Sequence, residues 1–186
     1  MTTKRELEHC YATLTALPEG WSSWDDLMHI AMEEAQKAEA IGEVPVGAVL
    51  VAPDGAIVAK AYNRTITDHD PTAHAEILAL REAGKQLKNY RTEDLVLVVT
   101  LEPCLMCSGA LVHARIRGVV YGAPDHKTGA LDSQLSSFDL PLHNHAIWHR
   151  SGVLQKECSN MLSAFFKKRR KEIKAAKQTQ TVTSNN

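Results

Sequence analysis

The sequence has few cysteines, no long apolar run and no large net charge. Each of these absences argues against one class of protein. Only four of the 186 residues are cysteines, too few and too unevenly placed for a disulfide framework. No segment is apolar over the roughly 20 residues that a membrane-spanning helix needs, and the charged start of the chain lacks the apolar core of a signal peptide. We therefore expect a cytoplasmic protein with no membrane partner, whose cysteines serve metal or redox chemistry.

Length and composition fit one domain with extended ends. A chain of 186 residues with 44% hydrophobic side chains can bury a single core, and it contains no internal repeat. We predict an N-terminal extension over 1–22, one domain over 23–177 and a disordered tail over 178–186, where "QTQTVTSNN" has no apolar periodicity.

The charge is unevenly distributed along the chain, and one segment is strongly basic although the net charge is small. A net charge of −1 argues against a nucleic-acid partner, because phosphate binding relies on a surplus of Lys and Arg. Residues 167–177, however, carry seven basic side chains against the single acid Glu172, a local charge of +6. Such asymmetry is typical of a surface that binds an anion, and a solvated helix end is an equal alternative.

Periodicity and turn signals predict an α/β protein. Apolar residues recur at helical spacing from Trp24 to Ala40, with charged residues on the other side. "VGAVLVA" and "AIVAKAY" then flank "PDG", whose three residue types favour a hairpin turn between antiparallel strands. Asp70 and Pro71 are typical of an N-cap and a first helical residue, so the next helix is predicted over 70–87.

The second half of the chain predicts a parallel crossover. An apolar run over 95–100 is typical of a strand buried on both faces, a helix is predicted from Pro103, and "GVVYGA" supplies the next strand. A loop-like stretch, a short strand over about 145–149 and a last helix from about Val153 follow. These elements predict three layers, with helices on both faces of a mixed sheet of about five strands and the hairpin first.

Two short stretches carry the residues of a candidate metal site. His74 and Glu76 lie two positions apart in "PTAHAEILAL", and Cys104 and Cys107 lie three apart in "EPCLMC". Thiolates and an imidazole are ligands that zinc prefers, and a helix N-terminus favours thiolate over thiol. We hypothesise that His74, Cys104 and Cys107 bind Zn²⁺ and leave one position to water. Glu76, which an ideal helix points about 200° away from His74, would then move the protons of that water.

Two other readings of the cysteine pair stay open on the residues alone. The pair would belong to a closed structural zinc site if Cys158 or His113 supplied a fourth ligand, or it would be a redox dithiol. A redox dithiol has no use for the His-x-Glu element, whereas a catalytic zinc site needs both. We therefore favour the catalytic interpretation.

The motifs "HAE" from His74 and "PCLMC" from Pro103 resemble the His-x-Glu and Pro-Cys-x-x-Cys pattern of the zinc-dependent cytidine and adenosine deaminases. "EVPVGAVLV", "YNR", "VVTLEPCLMC", "DHKTGA" and "FFKKRRKEIKA" extend the resemblance over about 24–177 to the bacterial members that act on tRNA. It implies a cytidine deaminase-like α/β/α fold and hydrolytic conversion of adenosine to inosine at the wobble position of the anticodon loop. It also implies a homodimer whose active site borrows residues from the partner subunit.

The same resemblance assigns further roles, with no DNA substrate expected. It implies substrate contacts from Asn63, Asp125, Val46 and Ala75, and contacts to the phosphates of the tRNA anticodon arm from Lys167, Lys168, Arg169, Arg170 and Lys171. Pro124 and His126 depart from the family's pattern beside Asp125.

Three rival functions remain, and one of them is a redox protein, whose thiols would cycle in the absence of metal. A deaminase of a free nucleoside, nucleotide or guanine would share the zinc core but would not need the basic run. A structural zinc module that binds partners would not need Glu76.

Overall fold

A computed structural model describes residues 16–141 and 143–183 of the chain. Within these residues four α-helices and five strands follow one another, with a short 3₁₀ helix at Ser137–Asp139. They are α1 (Trp24–Ala40), β1 (Gly47–Val51), β2 (Ile57–Tyr62), α2 (Ala75–Leu87), β3 (Val96–Leu101), α3 (Leu105–His113), β4 (Gly118–Ala123), β5 (Trp148–Arg150) and α4 (Gln155–Thr183).

The five strands form one mixed sheet in the order β2, β1, β3, β4, β5. β1 pairs antiparallel with β2 and with β3, so Val49 lies between Lys60 and Val98. β3 and β4 pair in parallel, as do β4 and β5. The predicted mixed sheet, its leading hairpin and its parallel crossover are confirmed.

Successive residues of the central strands point to opposite faces of the sheet, and each face is covered by helices. Leu50, Leu97 and Val119 belong to the core beneath α2 and α3. Val49 and Val98 belong to the core that α1 and the start of α4 cover. Because both faces are apolar and covered, the fold has the three predicted layers.

α2 and α3 begin later than the sequence predicted. α2 begins at Ala75 with His74 as its N-cap, whereas the prediction placed the N-cap at Asp70 and the first helical residue at Pro71. The Asp70 carboxylate accepts hydrogen bonds from the N–H and hydroxyl of Thr72, both at 2.7 Å, and so closes a turn before the helix. α3 likewise begins after its N-cap Cys104 and not at Pro103. The prediction therefore placed His74 and Cys104 inside their helices, whereas in the structure each of them is the N-cap.

The ends of the domain differ from the prediction in detail. Of the predicted extension over 1–22, residues 1–15 lie outside the described part of the chain. Glu19 donates its N–H to Pro53 O at 2.9 Å and the Trp21 indole donates to Gly55 O at 2.9 Å, so this segment lies on the hairpin turn. α4 continues to Thr183, past the predicted start of the tail at 178. The division into extension, domain and tail stays a prediction.

In the part of the chain that the structure describes, no helix combines the length and apolar character needed to cross a membrane.

Candidate metal centre and active site

Three predicted ligands meet where α2 and α3 begin. His74 Nδ1 lies 3.7 Å from Cys104 Sγ and 3.5 Å from Cys107 Sγ, and the three ligand atoms lie within 4.8 Å of one another. Tetrahedral zinc with Zn–S near 2.3 Å and Zn–N near 2.0 Å would place a nitrogen and a sulfur ligand about 3.5 Å apart. The donor set and its spacing therefore fit one zinc ion.

The cysteine pair favours negative charge at this point. A hydrogen bond with the Cys107 thiol, helped by His74, lowers the pKa of Cys104 to about 4 although burial opposes the shift. The hydrogen bond with Cys104 and burial both raise the pKa of Cys107. The mutual hydrogen bond thus shifts the two pKa values in opposite directions beside a helix N-terminus, and a divalent cation bound here would displace the protons of both thiols.

The alternative of a closed site with four protein ligands has no support in the geometry. Among the described residues, the only group of at least three close His, Cys, Asp or Glu ligand atoms is formed by His74, Cys104 and Cys107. Cys158 belongs to the core on the opposite face of the sheet, and His113 is the last residue of α3, whereas Cys104 is its N-cap. A zinc ion held by these three ligands would keep a coordination position for water.

Glu76 lies in the first turn of α2 and lines the same cavity as His74 and Cys104. Its side chain is buried, with 4% of the residue exposed, and it is not a member of the ligand group. Burial raises the pKa of its carboxyl above the ordinary range, because the charged form loses contact with water. A carboxyl in such a setting suits proton transfer near neutral pH.

The cavity beside the candidate metal centre has a volume of about 190 Å³. Pockets for drug-sized ligands occupy roughly 300–1,000 Å³, so this one accepts a small group and not a whole nucleotide. Val46, Asn63 and Asp125 line it, and their contact with a substrate stays a prediction. Ala75 contributes through its backbone, because its N–H donates to Asn63 Oδ1 at 2.9 Å and so fixes the buried Asn63 side chain.

Asp125 is held by its own loop. Its Oδ1 accepts the N–H groups of Lys127 and Thr128, and its Oδ2 accepts the Thr128 hydroxyl at 2.6 Å. This is the turn role expected of an isolated aspartate.

The five basic residues predicted to bind phosphate are exposed on α4, and none lines the cavity. Lys167, Lys168, Arg169, Arg170 and Lys171 therefore form a surface of their own.

Sequence reasoning missed other residues of the cavity wall, among them Val44, Thr65, Leu101, Glu102 and Thr128. Glu102 is the most informative of these, since it is only 2% exposed. A charged residue directly after the apolar strand β3 was the available signal, because such a residue is buried only when its charge is satisfied.

The three-layer fold and the His-x-Glu and Cys-x-x-Cys elements at neighbouring helix starts define a zinc-dependent deaminase. Residues 22–123 match the cytidine and deoxycytidylate deaminase zinc-binding region, and the chain belongs to this family. The predicted fold, enzyme class and zinc-binding domain are thereby confirmed.

Individual relatives are similar over most of the chain. The tRNA-specific adenosine deaminase of Haemophilus influenzae is 52% identical over 157 residues, which cover 84% of this chain and 91% of that protein. The tRNA-specific adenosine deaminase of Bacillus subtilis is 48% identical over 151 residues, covering 81% and 93%. A solved structure from biochemical and structural studies of A-to-I editing by tRNA:A34 deaminases at the wobble position of transfer RNA has a TM-score of 0.71. It is 44% identical and covers 74% of this chain and 99% of that one.

Proposed function

We propose that this chain is a tRNA-specific adenosine deaminase, which hydrolyses adenosine to inosine at the wobble position of the anticodon loop. The observation that carries the proposal is the cavity shared by His74, Cys104 and the buried Glu76, which is not a member of the ligand group. The tRNA substrate is that of relatives to which most of the chain is similar. A protein acting on tRNA is expected in the cytoplasm.

The reaction consumes water and releases ammonia, so two protons must be moved. Zinc, when held by His74, Cys104 and Cys107, supplies a water molecule of lowered pKa as the nucleophile for C6 of adenine. Glu76 accepts a proton from that water and delivers one to N1 of the ring, which makes C6 more electrophilic. Glu76 then takes the remaining proton from the hydroxyl group now on C6 and gives it to the amino group, so that the C6–N bond breaks, ammonia leaves and the C6 carbonyl of inosine forms. The low exposure of Glu76 keeps bulk water from competing for these protons.

Asn63, Val46 and Ala75 are proposed to orient the base. Because the Asn63 amide oxygen accepts the Ala75 N–H, the amide NH₂ is the group with which Asn63 donates to an acceptor on the base. Val46 is 4% exposed and offers an apolar contact to a ring face. An anticodon loop is single-stranded, so an adenosine can leave its stack and enter the cavity at modest cost.

Asp125 and the basic part of α4 are proposed to bind those parts of the RNA that do not enter the cavity. Asp125 lies on the cavity wall, where a carboxylate oxygen can accept a hydrogen bond from a ribose 2′-hydroxyl. The exposed basic residues over 167–171 would contact phosphates of the anticodon arm, which positions the RNA without specifying the base.

We further propose a homodimer that uses the outer face of α3. Most residues of this helix are apolar, and Leu105 and Met106 are 55% and 38% exposed directly after Cys104. A groove of about 740 Å³ beside it, between α2 and α3, is lined partly by Ile77 and Ala110. Large apolar side chains exposed next to each other are typical of a protein interface, and a second copy here would reach the edge of the metal centre. Leu105→Glu should therefore yield monomers in light scattering.

The function is tested by incubating the protein with an anticodon stem-loop and analysing its nucleosides for inosine. The proposal expects inosine from the stem-loop and little turnover of free adenosine or guanine. The opposite pattern, with turnover of a free base or nucleoside and none of RNA, would establish the small-molecule reading.

A further inference from the structure

Glu102, directly after β3, is buried against the backbone of one loop. Its Oε1 accepts the N–H groups of Leu131 at 3.1 Å, Asp132 at 2.8 Å and Ser133 at 2.9 Å. Its Oε2 accepts the N–H of Asp125 at 3.0 Å and the Ser133 hydroxyl. One carboxylate therefore holds both ends of the segment 125–133, which we name the Asp125 loop.

The Asp125 loop is clamped to the part of the chain that carries Cys104. Ala130 donates its N–H to Pro103 O at 2.9 Å, and Gly129 forms an isolated β-bridge with Cys104. Gly129 also packs so closely on Glu102 that a Cβ there would overlap Oε2. Since Glu102 and Cys104 are two residues apart, the same stretch of backbone fixes a metal-ligand candidate and the loop.

The Asp125 loop forms part of the cavity wall through Asp125 and Thr128. A carboxylate that accepts four backbone N–H groups is a strong constraint, because charge-assisted hydrogen bonds are about twice as strong as neutral ones. The constraint also acts over a long sequence distance, from position 102 to 125 and 131–133.

We infer that Glu102 is a positioning residue, which fixes the Asp125 wall of the cavity relative to the metal centre and so sets the affinity for the RNA. The inference rests on the proposed function, in which Asp125 contacts the ribose–phosphate backbone. Glu102 acts through Asp125, so it should control KM for RNA and leave zinc binding and the chemical step unchanged.

Glu102→Gln tests the positioning role of Glu102, because it replaces one carboxylate oxygen with an NH₂ group and leaves the size of the side chain almost unchanged. The amide oxygen of glutamine can serve the three N–H groups of Leu131, Asp132 and Ser133. The NH₂ group then replaces Oε2, where it suits the Ser133 hydroxyl but faces the Asp125 N–H, donor against donor. We expect KM for the stem-loop to rise roughly 5- to 160-fold, the range for a buried N–H left without an acceptor, with kcat and zinc content unchanged.

Two matched variants separate positioning from simple destabilisation. Ser133→Ala keeps the carboxylate and all its backbone partners, so KM should not change. Glu34→Gln alters a different buried carboxylate, which accepts from Lys37 on α1, so it should lower stability without raising KM. In an Asp125→Ala background, Glu102→Gln should raise KM by less than about twofold. The two substitutions remove the same contact to the RNA, so their effects on KM should not add.

Hydrogen exchange on the wild-type protein supplies a readout that needs no variant. The amides of Asp125, Leu131, Asp132 and Ser133 should exchange slowly in the wild type, and that of Asp125 should lose protection in Glu102→Gln. Fast exchange of all four in the wild type would overturn the inference even if the variant did not fold. An unchanged KM in a folded Glu102→Gln, or a full effect in the Asp125→Ala background, would overturn it too. Absence of inosine with the wild-type protein would instead reject the proposed function.

Discussion

Asn63 has a structural task in the fold and a proposed task in binding the base, and substitutions should separate the two. Its Oδ1 accepts the buried Ala75 N–H at 2.9 Å in the first turn of α2, directly after the ligand candidate His74. Asn63→Ala leaves that N–H without an acceptor, which costs about 1–3 kcal/mol. For a domain of 150–250 residues, 1 kcal/mol lowers Tm by roughly 2–4 °C, so a decrease of about 2–12 °C is expected.

Asn63→Asp keeps the acceptor but loses the NH₂ donor. A carboxylate at this position lies at the N-terminus of α2, where negative charge is favoured, so this variant should lose less stability than Asn63→Ala. Both variants should lose deamination of the stem-loop, because both lack the group proposed to bind the base. Thermal unfolding and inosine formation are measured on the same preparations. An Asn63→Ala protein as stable as the wild type would refute the reasoning.

Three further predictions follow from the metal centre, the basic surface and the packing of α1. Removing zinc with a chelator should abolish turnover and lower Tm, and added zinc should restore both; turnover by metal-free protein would contradict this. Reversing two charges within 167–171 should raise KM for the stem-loop and flatten its salt dependence, with zinc content unchanged. Gly47→Ala should destabilise the fold by more than about 2 kcal/mol in denaturant unfolding, because its Cβ would overlap Ala31 O; a neutral result would show that α1 can move away from β1.

The elements predicted well from sequence are those whose signals are local. The capping box of Ser23 and Asp26 and the apolar spacing after it determine α1 within a few neighbouring residues. The turn of Asp54 and Gly55 likewise belongs to the hairpin itself, since Asp54 accepts the Ala56 N–H at 3.0 Å. The ligand candidates were found because residue type and short spacing together specify zinc chemistry.

The parts that sequence reasoning missed depend on distant partners. Glu102 receives its hydrogen bonds from residues 23 to 31 positions further along the chain. Glu43 is another fully buried carboxylate, and it accepts the N–H groups of Ile66 and Thr67 at 2.8 and 2.7 Å. Nothing local in the sequence shows which backbone groups will converge on such a carboxylate. The start of α2 was misplaced for the opposite reason, because a local turn at Asp70 competes with the helix.

The relative direction of the His74 and Glu76 side chains depends on where α2 begins. Since His74 is the N-cap and has extended backbone, the 200° separation of an ideal helix does not apply to the pair. Both side chains can therefore line one cavity, with one ring nitrogen beside the sulfurs and the carboxyl outside the ligand group. This arrangement could not be derived from spacing alone.

Zinc content and inosine formation, measured together for the wild type and Glu76→Gln, test the central claim most directly. The account predicts about one zinc per chain in both proteins, as a single site of three protein ligands requires. It also predicts that Glu76→Gln forms inosine at least roughly 10²-fold more slowly, because glutamine cannot accept or deliver the protons. A Glu76→Gln protein that holds zinc and deaminates the stem-loop at the wild-type rate would contradict it.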